Sequence, residues 1–326
     1  MQSFATLSAL FEKQFNRRHF PQHPANLYDA SQYILGIGGK RVRPVCVLMG
    51  NELFSDIDPD AYQVANAIEL FHNFSLIHDD IMDKAPLRRG EPTVHKKFGE
   101  TTALLAGDVM LVEAYEYINK IKPLHLQKIL TLFNNTAKEV CEGQQLDMEF
   151  EERDTVSFDE YVEMITLKTS VLLAASLQMG GILGGAGMGN QQLLFDFGKK
   201  LGIAFQVQDD YLDAFGDPEK FGKQPGGDIL ANKKTFLLIH AMEAATASQK
   251  DALRNWMSKK VEIADEAKKI AAVLAIFKDC KADAWATSLK EKYYKEALEH
   301  LEAMAVVSSR KKELAQLAAY LMGRDK

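Results

Sequence analysis

Apolar residues return at intervals of three and four along most of this chain, the pattern of helices that bury one face. In ANAIELFHNFSLIHDDIMD, residues 65–83, Ile68, Phe71, Ser75 and Met82 fall on one stripe. The same period runs through 103–120, 124–150, 158–179, 191–215, 233–246, 262–278 and 283–302. No β-branched alternation bounded by turns marks a strand. Breaks fall at 36–39, 86–92, 122–123, 180–190 and 216–227, where Gly and Pro gather. None is long or biased enough to link separate domains. The pattern predicts an all-α fold, with residues 1–326 as one large helical domain.

Composition changes that picture little. Of 326 residues, 47 % are hydrophobic and 26 % charged, ordinary for a globular protein whose core needs no disulfides. The net charge of −6 argues against a general nucleic-acid binder. Cys46, Cys141 and Cys280 form no metal-ligand spacing and fit a reducing cytosol, so the expected location is cytoplasmic. The N-terminal stretch carries Glu12 and Lys13 and lacks a signal-peptide core. No uncharged apolar run reaches about 18 residues, so no membrane span is expected.

One motif occurs twice: Asp79-Asp80-Ile81-Met82-Asp83 and Asp209-Asp210-Tyr211-Leu212-Asp213. On a helix the first and last aspartates of DDxxD stand about one turn apart on one face, with the second about 100° round. Each copy sits in apolar sequence, FSLIH before one and AFQVQ before the other. An acidic cluster is often just a solvated face, but carboxylates crowded near a core repel one another unless cations join them. Hard divalent ions answer that need, and magnesium shares its shell between carboxylates and substrate phosphates. An EF-hand is excluded, because its ligands alternate around a loop glycine.

An anionic ligand bridged to such metals needs cations of its own. The candidates are GGKRVRP at 38–44, Arg88-Arg89-Gly90, Lys168-Thr169, Lys223 and Lys233-Lys234-Thr235. Each taken alone reads as surface charge. The two glycines make neither a P-loop nor GxGxxG, and GGILGGAGMG at 180–189 fits no phosphate fingerprint and reads as a tight interhelical connection. His72 precedes Asp79 by seven residues and Asp83 by eleven, which keeps the three near one helix face.

These segments resemble the trans-polyprenyl diphosphate synthase family, which includes farnesyl and geranylgeranyl diphosphate synthases. The resemblance spans roughly residues 30–240. It rests on GGKRVRP, HNFSLIHDDIMDKAPLRRGEPTVHKKFG (72–99), AGD (106–108), EGQQLDM (142–148), LKTS (167–170) and AFQVQDDYLDAFGD with GKQPGGDILANKKT (222–235). It implies an all-α bundle around a deep central cavity, usually a homodimer. It implies that Lys40, Arg43, His72 and Arg89 hold isopentenyl diphosphate. Asp79, Asp80, Asp83, Asp209, Asp210 and Asp213 would bind three Mg2+ ions against an allylic diphosphate. Arg88, Lys168, Lys223 and Lys233 would grip that same group, with Thr169 and Gln206 beside the reacting carbons. The family's reaction needs such residues, because ionising an allylic C–O bond leaves a charged diphosphate and a carbocation that must be kept from water.

The family also implies a product length. Phe74, five residues before Asp79, lies roughly 7 Å along the helix and would act as a floor. Phe71 and Ser75 flank it, and Ser75 stands where animal farnesyl synthases carry a second aromatic. With no insertion in the first aspartate motif, the resemblance favours geranylgeranyl over farnesyl diphosphate. A class I terpene cyclase and a non-catalytic subunit of a heteromeric synthase are the alternatives. The DDYLD second motif and the complete aspartate set weigh against each.

Overall fold

The computed structural model describes residues 1–216, 226–258 and 263–323. Among them the elements are α1 (Phe4–Phe15), α2 (Ala25–Gly36), α3 (Val42–Glu52), α4 (Pro59–Met82), a two-stranded pair β1 (Leu87–Arg88) and β2 (Glu91–Pro92), α5 (Val94–Phe98), α6 (Glu100–Ile118), α7 (Pro123–Glu152), α8 (Phe158–Ile165), a π-helical turn Thr166–Ser170, α9 (Val171–Leu183) and α10 (Met188–Phe215). There follow α11 (Gly227–Leu230), α12 (Phe236–Ala244), α13 (Ala247–Met257), α14 (Ile263–Asp279), α15 (Ala282–Ala303) and α16 (Ser308–Met322). The all-α expectation holds.

Local chemistry explains where the helices begin. Asp58 caps α4 by accepting from the Asp60 amide, and Pro59 occupies the first turn, where its missing N–H costs nothing. Ser157 with Glu160 opens α8 and Thr246 with Gln249 opens α13, each as a reciprocal capping box. The helices bury their faces in two compact units, 1–135 with 175–194 and 304–313, and 136–174 with 195–303 and 314–326. In the first unit Leu7, Phe11, Leu48, Ile68 and Phe71 form part of the core. In the second, Phe236, Phe277, Leu253, Ile203 and Val207 do.

Two local readings are corrected. The chain is not strand-free: Leu87 pairs with Pro92 and Arg88 with Glu91 across a tight hairpin. Its two turn residues, Arg89 (φ 54°) and Gly90 (φ 83°), both adopt positive φ, as a type I′ turn demands. The 180–189 glycines are also only partly a connection, since α9 continues to Leu183. A Cβ on Gly180 would strike the backbone of Val47 and Asn51, so this glycine lets α9 lie close against α3. By composition alone, residues 158–183 hold an 18-residue window apolar enough to cross a bilayer, but 72 % of that window is buried within the protein. Burial in the core accounts for that hydropathy.

Candidate active site

The first aspartate motif closes a helix. Asp79 and Asp80 occupy the last turn of α4 and Asp83 is its C-cap, with the Asp83 amide donating to the Asp79 carbonyl (2.8 Å). A helix C-terminus already carries partial negative charge, so three carboxylates there strengthen the demand for cations. Arg88, on the hairpin, meets part of it. Its Nε donates to Asp80 Oδ2 (2.8 Å) and its Nη2 to Asp80 Oδ1 (2.7 Å), with a longer contact to Asp79 (3.4 Å). Burial opposes the Arg88 charge, but Asp80, Asp79 and Asp83 outweigh it and hold its pKa above the ordinary value.

Beside this motif lie the residues expected to hold isopentenyl diphosphate. Arg43 Nη1 lies 3.2 Å from His72 Nε2. Burial first, then the surrounding Arg43, Arg89 and Arg88, drives the His72 pKa well down, so the ring is neutral and accepts from Arg43. The Arg89 guanidinium covers Gly39, where a Cβ would come within 2.7 Å of Nη1 and the backbone stands at φ 143°. Lys40 is exposed on the same turn. Further back on α4, Phe74 packs on Phe71 (5.6 Å between ring centroids) and on His78 (4.8 Å), while Ser75 Oγ donates to the His72 carbonyl (2.8 Å). Phe71 rests in turn on Phe133 (5.3 Å).

In the second unit the second aspartate motif lies on α10. Here too the aspartates fall in the last two turns of a long helix, with Asp209 exposed and Asp210 buried. Asp210 accepts from Tyr161 Oη (2.9 Å) and from Gln206 Nε2 (2.9 Å), and Thr169 Oγ1 donates to Gln206 Oε1 (3.4 Å). Lys168 donates to Asp147 (2.6 Å) from the π turn at Thr166–Ser170. π turns within α-helices occur frequently at functional sites. Gly143 of α7 supports this one, because a Cβ there would collide with the Lys168 backbone. Asp213 accepts from the Asp228 amide (2.9 Å), and the Lys233 amide donates to the Asp228 carbonyl (2.9 Å). Lys223 lies outside the described residues.

Charge crowding is strongest here. Burial, then the Asp228 charge, raises the Asp210 pKa to about 8. Burial, then Asp213, raises Asp228 to about 7 even though Lys233 opposes the shift. Carboxylates that retain protons near neutrality lack positive charge, which a divalent ion supplies. Among the described residues no three His, Cys, Asp or Glu side chains converge tightly enough to cage an ion alone. An oxygen donor set of this kind suits magnesium, which completes its shell with water and substrate phosphates.

The structure thus brings Arg43 to His72, Arg89 to the GGKRVRP turn, Arg88 to the first motif, and Thr169 with Gln206 to the second. Sequence reasoning quoted the segments containing Asp147 and Asp228 but did not single out either residue. A conspicuous signal existed for both: each is an acid inside a glycine-containing motif segment. Tyr161 carried no signal.

The polyprenyl synthetase family model matches residues 24–274. A short chain isoprenyl diphosphate synthase from Methanothermobacter thermautotrophicus is 38 % identical over 303 residues, 93 % of this chain and 91 % of that one. A geranylgeranyl diphosphate synthase from Methanosarcina mazei is 37 % identical over 304 residues, with the same coverage. Among solved structures, a geranylgeranyl pyrophosphate synthetase from Pyrococcus horikoshii Ot3 superposes with a TM-score of 0.91 at 36 % identity, covering 98 % of each chain. Fold, motif chemistry and these likenesses agree: the chain belongs to the polyprenyl synthetase family.

Proposed function

We propose that this protein condenses isopentenyl diphosphate with allylic diphosphates (dimethylallyl, geranyl and farnesyl) to make geranylgeranyl diphosphate. One observation carries the reading: two aspartate motifs, each ending a long helix, accompany a separate cationic pocket built on Arg43 and His72. Two diphosphates need two sets of cations, and a hydrolase or a cyclase has no use for the second. The geranylgeranyl synthases among the relatives support the product length.

Magnesium held by Asp79, Asp80, Asp83, Asp209, Asp210 and Asp213, three ions in our reading, would act as a Lewis acid on the departing diphosphate. The protein's own groups do the rest. Lys40, Arg43 and Arg89 fix isopentenyl diphosphate, while neutral His72 offers a hydrogen bond without adding charge. Arg88, Lys168, Lys223 and Lys233 grip the allylic diphosphate and stabilise its charge as the C–O bond breaks. Thr169 Oγ1 and Gln206 Oε1, joined by a hydrogen bond, would stabilise the allylic cation by their dipoles. The isopentenyl double bond then joins that carbon, and the released diphosphate takes the proton that leaves. Phe74 ends the path of the growing tail.

The two compact units act in this reading as one catalytic domain, working in the cytoplasm as a homodimer. Leu104, Leu105, Val112 and Tyr115 form an apolar stripe on α6, each between 37 % and 58 % exposed. A self-complementary apolar face suits a second copy of the chain about a twofold axis. Incubation with labelled isopentenyl diphosphate, an allylic primer and magnesium tests the activity. An elongated diphosphate is expected; a cyclic hydrocarbon or no product would overturn it.

A further inference from the structure

The GGKRVRP turn carries three cations, and one of them does not face a ligand. Arg41, between Lys40 and Arg43, adopts a left-handed conformation (φ 50°) at the start of α3 and turns inward. Its Nη1 pairs with Glu69 Oε1 and its Nη2 donates to the Leu35 carbonyl (2.7 Å), while its guanidinium covers the Phe15 ring at 5.3 Å. Both members of the ion pair are buried, with side chains 7 % and 3 % exposed. Asn73 Nδ2 completes the anchor by donating to Glu69 Oε1 (2.9 Å) and to the Glu69 carbonyl (2.8 Å). Glu69 lies one turn before His72 on α4, so the anchor neighbours the residue that Arg43 meets.

A buried ion pair is a poor way to gain stability, because desolvation offsets most of the attraction. Its use is to hold one arrangement. Here it ties a turn in a strained conformation to the helix that carries the first aspartate motif. Glu69 also has a longer reach. Burial works against the Arg43 and Arg89 charges, and the Glu69 carboxylate is the largest force in favour of each. Without it, Arg41, Arg43 and Arg89 would repel one another in a desolvated pocket.

We propose that Glu69 is a positioning residue for isopentenyl diphosphate: through Arg41 it fixes the turn that aims Lys40 and Arg43, and its charge lets the pocket's arginines stand together before the ligand arrives. The inference rests on the pocket assignment above. Its consequence is selective, because the anchor's partners Phe15, Leu35 and Asn73 lie on α1, α2 and α4, beside the isopentenyl pocket.

The test uses full-length Glu69→Gln, which is isosteric, and the double variant Arg41→Met with Glu69→Leu, which replaces the pair by apolar bulk. Each is assayed with one substrate varied at a time, and folding is followed by circular dichroism and Tm. Both variants should fold and raise the KM for isopentenyl diphosphate about tenfold or more, with allylic KM and kcat changed about twofold at most. A double variant with a normal isopentenyl KM would mean that the pair serves only the fold. Loss of structure in both variants, or equal losses for both substrates, would overturn the proposal in the same way. Lys40→Ala serves as the control: if it too leaves the isopentenyl KM unchanged, the pocket assignment has failed rather than the role of Glu69.

Discussion

The two aspartate motifs share the DDxxD pattern and differ in how their charge is met. At the first, Arg88 lays its guanidinium across Asp80 in a two-pronged bond, so a protein cation already stands against the carboxylates. At the second, Asp210 receives only neutral donors, Tyr161 and Gln206, and it and Asp228 are pushed up to about 8 and about 7. Motifs of one pattern therefore have different appetites. The first has part of its charge met by Arg88, whereas at the second Asp210 keeps a proton until a further cation replaces it. Equivalence in sequence does not extend to equivalence in electrostatics.

The strongest way to break this comparison is to delete one ligand from each motif. Asp79→Ala and Asp209→Ala should both lower kcat/KM by about a thousandfold or more with the fold retained, because each removes an oxygen from a site that stabilises the leaving group. Steady-state rates at saturating magnesium check this, and near-normal turnover in either variant would remove it from the metal site. Next in size is the division of the cations. Lys40→Ala and Arg43→Ala should raise the KM for isopentenyl diphosphate about ten- to hundredfold, and Lys168→Ala should do the same for the allylic substrate. The reverse partition would exchange the two pockets.

Protons sharpen the contrast further. A carboxylate whose folded pKa lies above its unfolded value favours folding most below that unfolded value, and the advantage is lost as pH rises through the folded pKa. Asp210 and Asp228 therefore make the metal-free protein progressively less stable from about pH 4 to about pH 8, and magnesium binding should release protons near neutrality. Asp210→Asn should flatten the metal-free Tm profile over that range and reduce the protons released, read by calorimetry in two buffers of different ionisation enthalpy. Proton release unchanged in Asp210→Asn would mean that the second motif is charged already.

The smallest expected effect on rate falls on α4, where the outcome is the product instead. Phe74→Ala removes a ring packed on Phe71 and His78, at a cost of about 3 kcal/mol, and should lengthen the product by one or more five-carbon units. Ser75→Phe should shorten it toward farnesyl. Chromatography of the dephosphorylated alcohols reads both, and an unchanged distribution in both would give the stop to another helix.

Much of this was legible in the sequence because the chemistry imposes spacing. DDxxD must repeat at helical intervals to bring carboxylates to one face, and the 3.6-residue period located α6, α7 and α10 to within a few residues. What escaped lacked a periodic mark. The hairpin is four paired residues, and its positive φ at Arg89 is imposed by the turn, not announced by the residue type. Glu69 reads as an intruding acid on an apolar helix until Arg41, 28 positions earlier, is seen beside it. Asp228 needed its amide to meet Asp213 before its carboxylate could matter. In each case the missing information was a tertiary partner.

The π turn at Thr166–Ser170 also sets a phase. It is one residue more than an α-helix would use over that stretch, so it offsets the helical faces before and after it by about 100°. Upstream of it Tyr161 presents its hydroxyl to Asp210; downstream Gly180 presents its bare Cα to the backbone of α3. A single-residue deletion within the turn would heal the hydrogen-bond ladder and yet put one of those two faces out of register. Regular helix would thus be the damaged state of this segment, and the irregularity is what allows one helix to keep two appointments.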